Sequence, residues 1–177
     1  MKYIKKITII LAIFIFCACK PEHHKDYYPN GTLRFEYYKS RLTGRTTGTY
    51  KEYYENGKIR TIGQSRDGRM TGVWKSYWEN GRIQSIQNFK DNQVISIDFW
   101  NSDGVQTIKD GTGVGTYYDN DGQISSTISY KNNVPDGKWE TWWYLYGTKE
   151  SETYYCNGKI VYSKQWDENG KLIETKH

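Results

Sequence analysis

Residues Thr43–Gly57 read TGRTTGTYKEYYENG and residues Asp67–Gly81 read DGRMTGVWKSYWENG, two copies of one pattern set 24 residues apart. A repeat of that length is one supersecondary unit, and its residues say which. Each copy carries a glycine (Gly48, Gly72), then an aromatic-polar stretch (Tyr50 to Tyr54, Trp74 to Trp78) with the spacing of a strand, then Glu-Asn-Gly. Asn-Gly between two such stretches marks a β-hairpin. With both residues at positive φ in a type I′ turn, Glu55 is expected opposite Lys58 and Tyr54 opposite Ile59. Glu79-Asn80-Gly81-Arg82, flanked by Trp78 and Ile83, and Glu168-Asn169-Gly170-Lys171 read the same way.

Further copies follow. Asn133, Gly137, Trp139 and Trp143 fall on Gly68, Gly72, Trp74 and Trp78 at an offset of 65, and Gly113, Gly122 and Ile124 fall on Gly48, Gly57 and Ile59. Phe89 to Asn101 keeps a turn at Asp91-Asn92 but has Ser96 and Asp98 where glycine and tryptophan are expected, a worn copy. Alternation places Tyr50, Tyr54, Trp74, Trp78, Trp139 and Trp143 on one face of the strands. Tyr53, Tyr77 and Trp142 fall on the other. The fold expected is all-β: a single, elongated antiparallel meander of tandem hairpins over residues 27–177. The glycines before each aromatic strand are expected to allow a bend or a close backbone approach.

Composition agrees with that expectation. Only 36% of residues are apolar while 16% are aromatic, so buried surface must come mainly from Tyr and Trp, which suit half-buried strands. The 17 glycines recur at intervals against three prolines, a pattern of turns rather than of disorder.

The N-terminus has a different character. Lys2, Lys5 and Lys6 precede an apolar run from Ile7 to Phe16, and Phe16-Cys17-Ala18-Cys19 follows. This resembles the signal peptide and lipobox of bacterial lipoproteins, with residues 1–18 removed and Cys19 carrying the lipid. Cys19 fits better than Cys17, since Ala18 is small and Phe16 is not. Ile7 to Ala18 is only 12 residues, shorter than the roughly 20 that a membrane span needs. Residues 19–26 are polar and read as a tether. Lys20 after the cysteine resembles sorting to the outer membrane, and the charged stretch resembles surface-export signals. Lipid-anchored display at the outer membrane or cell surface is therefore expected. Removal of Cys17 and lipidation of Cys19 would leave Cys156 without a disulfide partner.

Three of the 25 basic residues lie in the signal, leaving 22 against 20 acidic ones, interleaved along the strands. No basic stripe of the kind nucleic acid requires is present, and none is expected as partner.

The Gly-x-aromatic-x-x-aromatic-aromatic pattern followed by Glu-Asn-Gly-Lys/Arg-Ile resembles the MORN-repeat superfamily, in the variant represented by YwqK-type proteins. It covers about residues 27 to 172. The resemblance implies a non-enzymatic protein that scaffolds others, associates with membranes and in some members contacts lipid. The variant is often labelled an antitoxin component, a role at odds with export.

Chemistry in the repeats is sparse. With His23, His24 and His177 the only histidines, no Ser-His or Cys-His pair is evident, and no metal or cofactor is expected. Asp119-Asn120-Asp121-Gly122 lacks the distal Glu of a calcium loop and falls on a repeat turn. Gly111-Thr112-Gly113-Val114-Gly115 lacks the lysine and helix of a phosphate loop. The run Trp139-Glu140-Thr141-Trp142-Trp143-Tyr144-Leu145-Tyr146, read as one strand, carries aromatics on both faces, so one side should be exposed for contact. Trp142, Tyr144, Tyr53 and Tyr77 are the candidate binding residues. A protein partner is expected, with a glycan or an antagonised toxin as the competing readings.

Overall fold

The computed structural model describes residues 20–119 and 122–177; residues 1–18, expected to be a signal peptide, and Cys19 lie outside them. The strands are β1 (Glu22–Tyr27), β2 (Leu33–Lys39), β3 (Gly48–Tyr53), β4 (Ile59–Arg66), β5 (Arg69–Tyr77), β6 (Ile83–Lys90), β7 (Gln93–Trp100) and β8 (Gln106–Lys109). They continue as β9 (Thr112–Tyr118), β10 (Ile124–Lys131), β11 (Val134–Pro135), β12 (Gly137–Trp142), β13 (Lys149–Cys156), β14 (Lys159–Trp166) and β15 (Leu172–Lys176). They form one antiparallel sheet in which each strand pairs with the next, β11 being a short rung beside β10. The described residues contain no helix. The all-β meander of hairpins read from the repeats is the fold.

Residues 22–26, expected in the tether, are instead strand β1. Its main chain pairs with β2 from Glu22↔Lys39 to Tyr27↔Leu33. The reason lies in rings the repeat pattern does not register: His23 stacks on Tyr38 at 4.5 Å and His24 on Tyr37 at 5.3 Å.

Two turn types alternate along the sheet, and the Glu-Asn-Gly turns expected to be type I′ are of the other type. At Tyr54-Glu55-Asn56-Gly57-Lys58 only Gly57 has positive φ (81°). Gly57 N–H donates to the Tyr54 carbonyl and Tyr54 N–H to the Lys58 carbonyl, both at 2.9 Å. This is a type I turn closed by a glycine bulge, and it has three residues in its loop. The register is therefore Tyr53↔Ile59, not Tyr54↔Ile59, and Glu55 has no place opposite Lys58. Pro29-Asn30-Gly31 and Glu168-Asn169-Gly170 close with the same bonds. Type I′ turns occur at the other end of the hairpins: Asp67-Gly68 (φ 50° and 79°), Asp91-Asn92 (51° and 71°), Asp110-Gly111 (50° and 72°), Asn132-Asn133 (53° and 65°) and Asn157-Gly158 (48° and 77°). Asp and Asn tolerate this conformation best after glycine.

Four of the I′ turns donate back to the chain at or beside the preceding turn. Gly68 N–H donates to the Thr46 carbonyl, Asn92 to Met70, Asn133 to Gly111 and Gly158 to Pro135, at 2.8 to 3.1 Å. Each hairpin thus fixes the next through its turn as well as its ladder.

The chain falls into two compact units. The first holds the residues up to Gly81 with Asn88–Gln93. Its core is Trp74 and Trp78, 7% and 8% exposed, with Phe89. Tyr50 and Phe89 flank Trp74 at 5.6 and 6.2 Å between ring centroids. The second unit holds Arg82–Gln87 and Val94–His177. There Ile97, Phe99 and Ile108 are fully buried and Tyr130 nearly so. The worn copy lost its tryptophan without losing its core: Ile97 and Phe99 point inward, while the Asp98 carboxylate accepts from Asp110 N–H at 2.9 Å.

Candidate interaction face

Consider first the face that is used up in packing. Between β4 and β5 the pairs are Ile62↔Lys75 and Gln64↔Thr71, so Gly72, Val73 and Trp74 stand opposite Gly63 alone. Gly72, at φ 66°, makes this bulge, and it lays the Trp74 ring over Gly63. Trp74 Nε1 then donates to the Gln64 carbonyl at 3.0 Å. In the second unit Gly137 (φ 94°) does the same for Trp139, whose Nε1 donates to the Ser129 carbonyl at 2.8 Å. Of the bend or close approach expected at these glycines, Gly72 provides the bend, while the close approach to Trp74 is at Gly63. At the far end of the aromatic strands, the Tyr54 hydroxyl donates to the Tyr77 carbonyl at 2.7 Å and Trp143 Nε1 to the Trp166 carbonyl at 3.1 Å. Every one of these rings ties a repeat to its neighbour.

The opposite face carries Tyr53 and Tyr77 in the first unit and Trp142 in the second, all half-buried. Tyr53 belongs to a charged cluster. Its hydroxyl donates to Glu36 at 2.9 Å, Lys51 Nζ donates to the same oxygen at 3.1 Å, and His23 Nε2 lies 2.9 Å from the other. Burial alone would raise the Glu36 carboxyl, but the bonds from Lys51, Tyr53 and His23 outweigh it and hold the group below its ordinary value. Tyr77 lines a shallow groove of about 330 Å³ with Ile62, Gln64, Val73 and Lys75 over the backbone of Gly63.

Trp142 ends β12 beside Lys149, whose Nζ bridges Glu140 at 2.6 Å and Glu152 at 2.9 Å. Glu140 and Glu152 are directly opposed on neighbouring strands, an arrangement that would repel without that lysine. Tyr162 donates to Glu152 at 2.9 Å and Lys138 lies 3.5 Å away. The bond from Lys149 leads in holding the Glu152 carboxyl down to about 2, against the opposing effect of burial.

Tyr144 departs from expectation. The strand stops at Trp142, and Trp143 N–H bonds the Thr148 carbonyl to close a loop containing Tyr144, Leu145, Tyr146 and Gly147. Tyr144 is 52% and Leu145 78% exposed at this tip, so the aromatic run is a strand followed by a loop rather than one two-faced strand. Cys156 is a free, exposed thiol at the end of β13. Among the described residues no three His, Cys, Asp or Glu side chains converge as a metal set.

The clusters at Glu36 and Glu152 and the groove at Lys75 were not anticipated. Finding them requires the cross-strand register, which at the Gly72 bulge between β4 and β5 shifts by two residues.

The family model described as MORN repeat variant matches residues 46–67, 70–91 and 112–132, which covers one full copy, its successor and the copy that opens with Gly113. No curated protein matches the chain.

Proposed function

We propose that this chain is a repeat-based protein-interaction module, carried on a lipid anchor at Cys19 and displayed at the outer membrane or cell surface, and that it works by binding rather than catalysis. The observation that carries the reading is the division of labour between the two faces of each unit. The aromatic rings of one face are consumed in tying repeats together, whereas Tyr53, Tyr77 and Trp142 on the other remain half-exposed beside charged side chains. Aromatic rings with a polar edge in such a setting are what protein interfaces enrich. The match of three segments to a MORN repeat variant supports a repeat-based module. The lipobox-like Phe16 to Cys19 supports the anchor.

Metabolic labelling with palmitate tests the anchor: wild-type chain should take up label and Cys19→Ala should not. Label persisting in that variant contradicts it. Protease treatment of intact cells then separates surface display, where the chain is cleaved, from display on the inner side, where it survives.

A further inference from the structure

One position of the repeat is occupied in three different ways. Five residues after the positive-φ glycine of a turn stand Glu36, Ile62 and Thr127, counted from Gly31, Gly57 and Gly122. Each pairs across the ladder with the strand that follows: Glu36↔Lys51, Ile62↔Lys75 and Thr127↔Glu140. In the first case the carboxylate sits between a lysine and a tyrosine, Lys51 at 3.1 Å and Tyr53 at 2.9 Å. In the third, the carboxylate of Glu140 is met by Thr127 at 3.3 Å and Lys149 at 2.6 Å. Both clusters are complete within the chain.

The middle one is not. Lys75 and Tyr77 repeat the Lys51 and Tyr53 spacing, but Ile62 stands where Glu36 would be. Strands β4, β5 and β6 (IRTIGQSR, RMTGVWKSY and IQSIQNFK) contain no acidic residue, while they carry Arg60, Arg66, Arg69, Lys75 and Lys90. Arg60 reaches Glu52 at 3.4 Å and Arg69 reaches Asp91 at 3.8 Å. Among the described residues Lys75 forms no ion pair. Beside it lies the groove floored by Ile62 and Val73, the latter 51% exposed.

From this we infer that the Ile62–Lys75–Tyr77 groove is a seat for a carboxylate supplied by the protein partner, an acidic side chain flanked by apolar ones. The inference rests on the protein-interaction reading and names the partner's chemistry. The incoming carboxylate takes the place that Glu36 holds in the first hairpin, between an ammonium and a phenol, and its apolar neighbours cover Ile62 and Val73. Such a contact gains from complementarity of charge and of apolar surface together.

The test is a fluorescence-anisotropy titration of the full chain in detergent with a labelled peptide alternating Glu and Leu. Its Gln-for-Glu counterpart and polygalacturonate serve as comparison probes. The Glu peptide should bind, and Lys75→Gln should weaken it roughly fivefold, the upper range for an exposed ion pair. Ile62→Glu should weaken it comparably by supplying the carboxylate from within, as Glu36 does, in a chain whose unfolding transition is retained. Lys51→Gln should leave the affinity unchanged, since that ammonium is already paired. The seat is overturned if Lys75→Gln and Ile62→Glu bind as wild type, if the Gln peptide binds as well as the Glu peptide, or if polygalacturonate binds and the peptide does not. A membrane partner crosslinked equally by wild type and Lys75→Gln also overturns the seat, and leaves the protein-interaction reading standing. A peptide titration as expected with no membrane partner captured does the reverse.

Discussion

A methyl group placed on Gly63 would lie 2.0 Å from a carbon of the Trp74 ring, and the ring is held there by its bond to the Gln64 carbonyl at 3.0 Å. Gly63→Ala should therefore destabilise the chain by about 1–3 kcal/mol, the usual range for overpacking a filled site, as read by urea unfolding. An unchanged midpoint would mean that Trp74 is free to move. Sequence reading finds Trp74 through the repeat but gives no hint of Gly63, because the demand comes from a cross-strand neighbour folded over by the Gly72 bulge. Glu152 makes a second prediction at this scale. Its carboxyl is held at about 2, from an ordinary 4.5, first by the Lys149 hydrogen bond, so the folded state binds its proton more weakly than the unfolded one. Its contribution is present above pH 4.5 and is lost as pH falls through that window toward about 2. Glu152→Gln should flatten the fall in stability across that interval, measured by denaturant titration at a series of pH values; an unaltered acid limb would contradict the assignment.

At the scale of the element, the two turn types make opposite demands. Pro29 occupies the first central position of the Tyr28–Gly31 turn, and proline, fixed near −65°, cannot enter a type I′ turn there. Were Asn30-Gly31 the central pair of a type I′ turn, Pro29 would be the flanking residue, whose N–H the hairpin ladder needs and proline lacks, so Pro29-Asn30-Gly31 carries a cue against type I′ at Asn-Gly. The same logic predicts that Glu55→Pro is tolerated, within roughly 1 kcal/mol of wild type and with a gain from the stiffened unfolded chain. Asp67→Pro, at φ 50° in a true I′ turn, should instead cost more than about 3 kcal/mol or abolish folding. Equal effects at the two sites, by thermal unfolding, would contradict the assignment of turns. Glycine at the bulge position is also required, and Gly57→Ala at φ 81° should cost about 1–2 kcal/mol.

For the whole molecule, the period and the face on which Trp74 packs were legible in residues 43–57 and 67–81, and the face of Trp139 in its offset of 65 from Trp74, since hairpin repeats write their geometry at fixed intervals. The β1 strand was not, because its hold on the sheet comes from His23 and His24 stacking on Tyr38 and Tyr37, residues outside the repeated pattern. Nor was the end of β12, because Trp143 to Tyr146 keeps aromatic composition while the backbone turns. Of the candidate binding residues, Tyr53 and Tyr77 lie on one face of the first unit, Trp142 lies on a strand of the second beside the Lys149 cluster, and Tyr144 is on a loop tip. The proposed partner binding falls to the face that repeat packing leaves unused. Crosslinking in native membranes, followed by affinity capture of wild-type chain and of a Tyr53→Ala, Tyr77→Ala, Trp142→Ala variant that retains its unfolding transition, tests this most directly. A recurrent protein crosslinked to wild type and lost from the variant is the predicted result; a partner retained undiminished by the variant, or none captured by wild type, would contradict it.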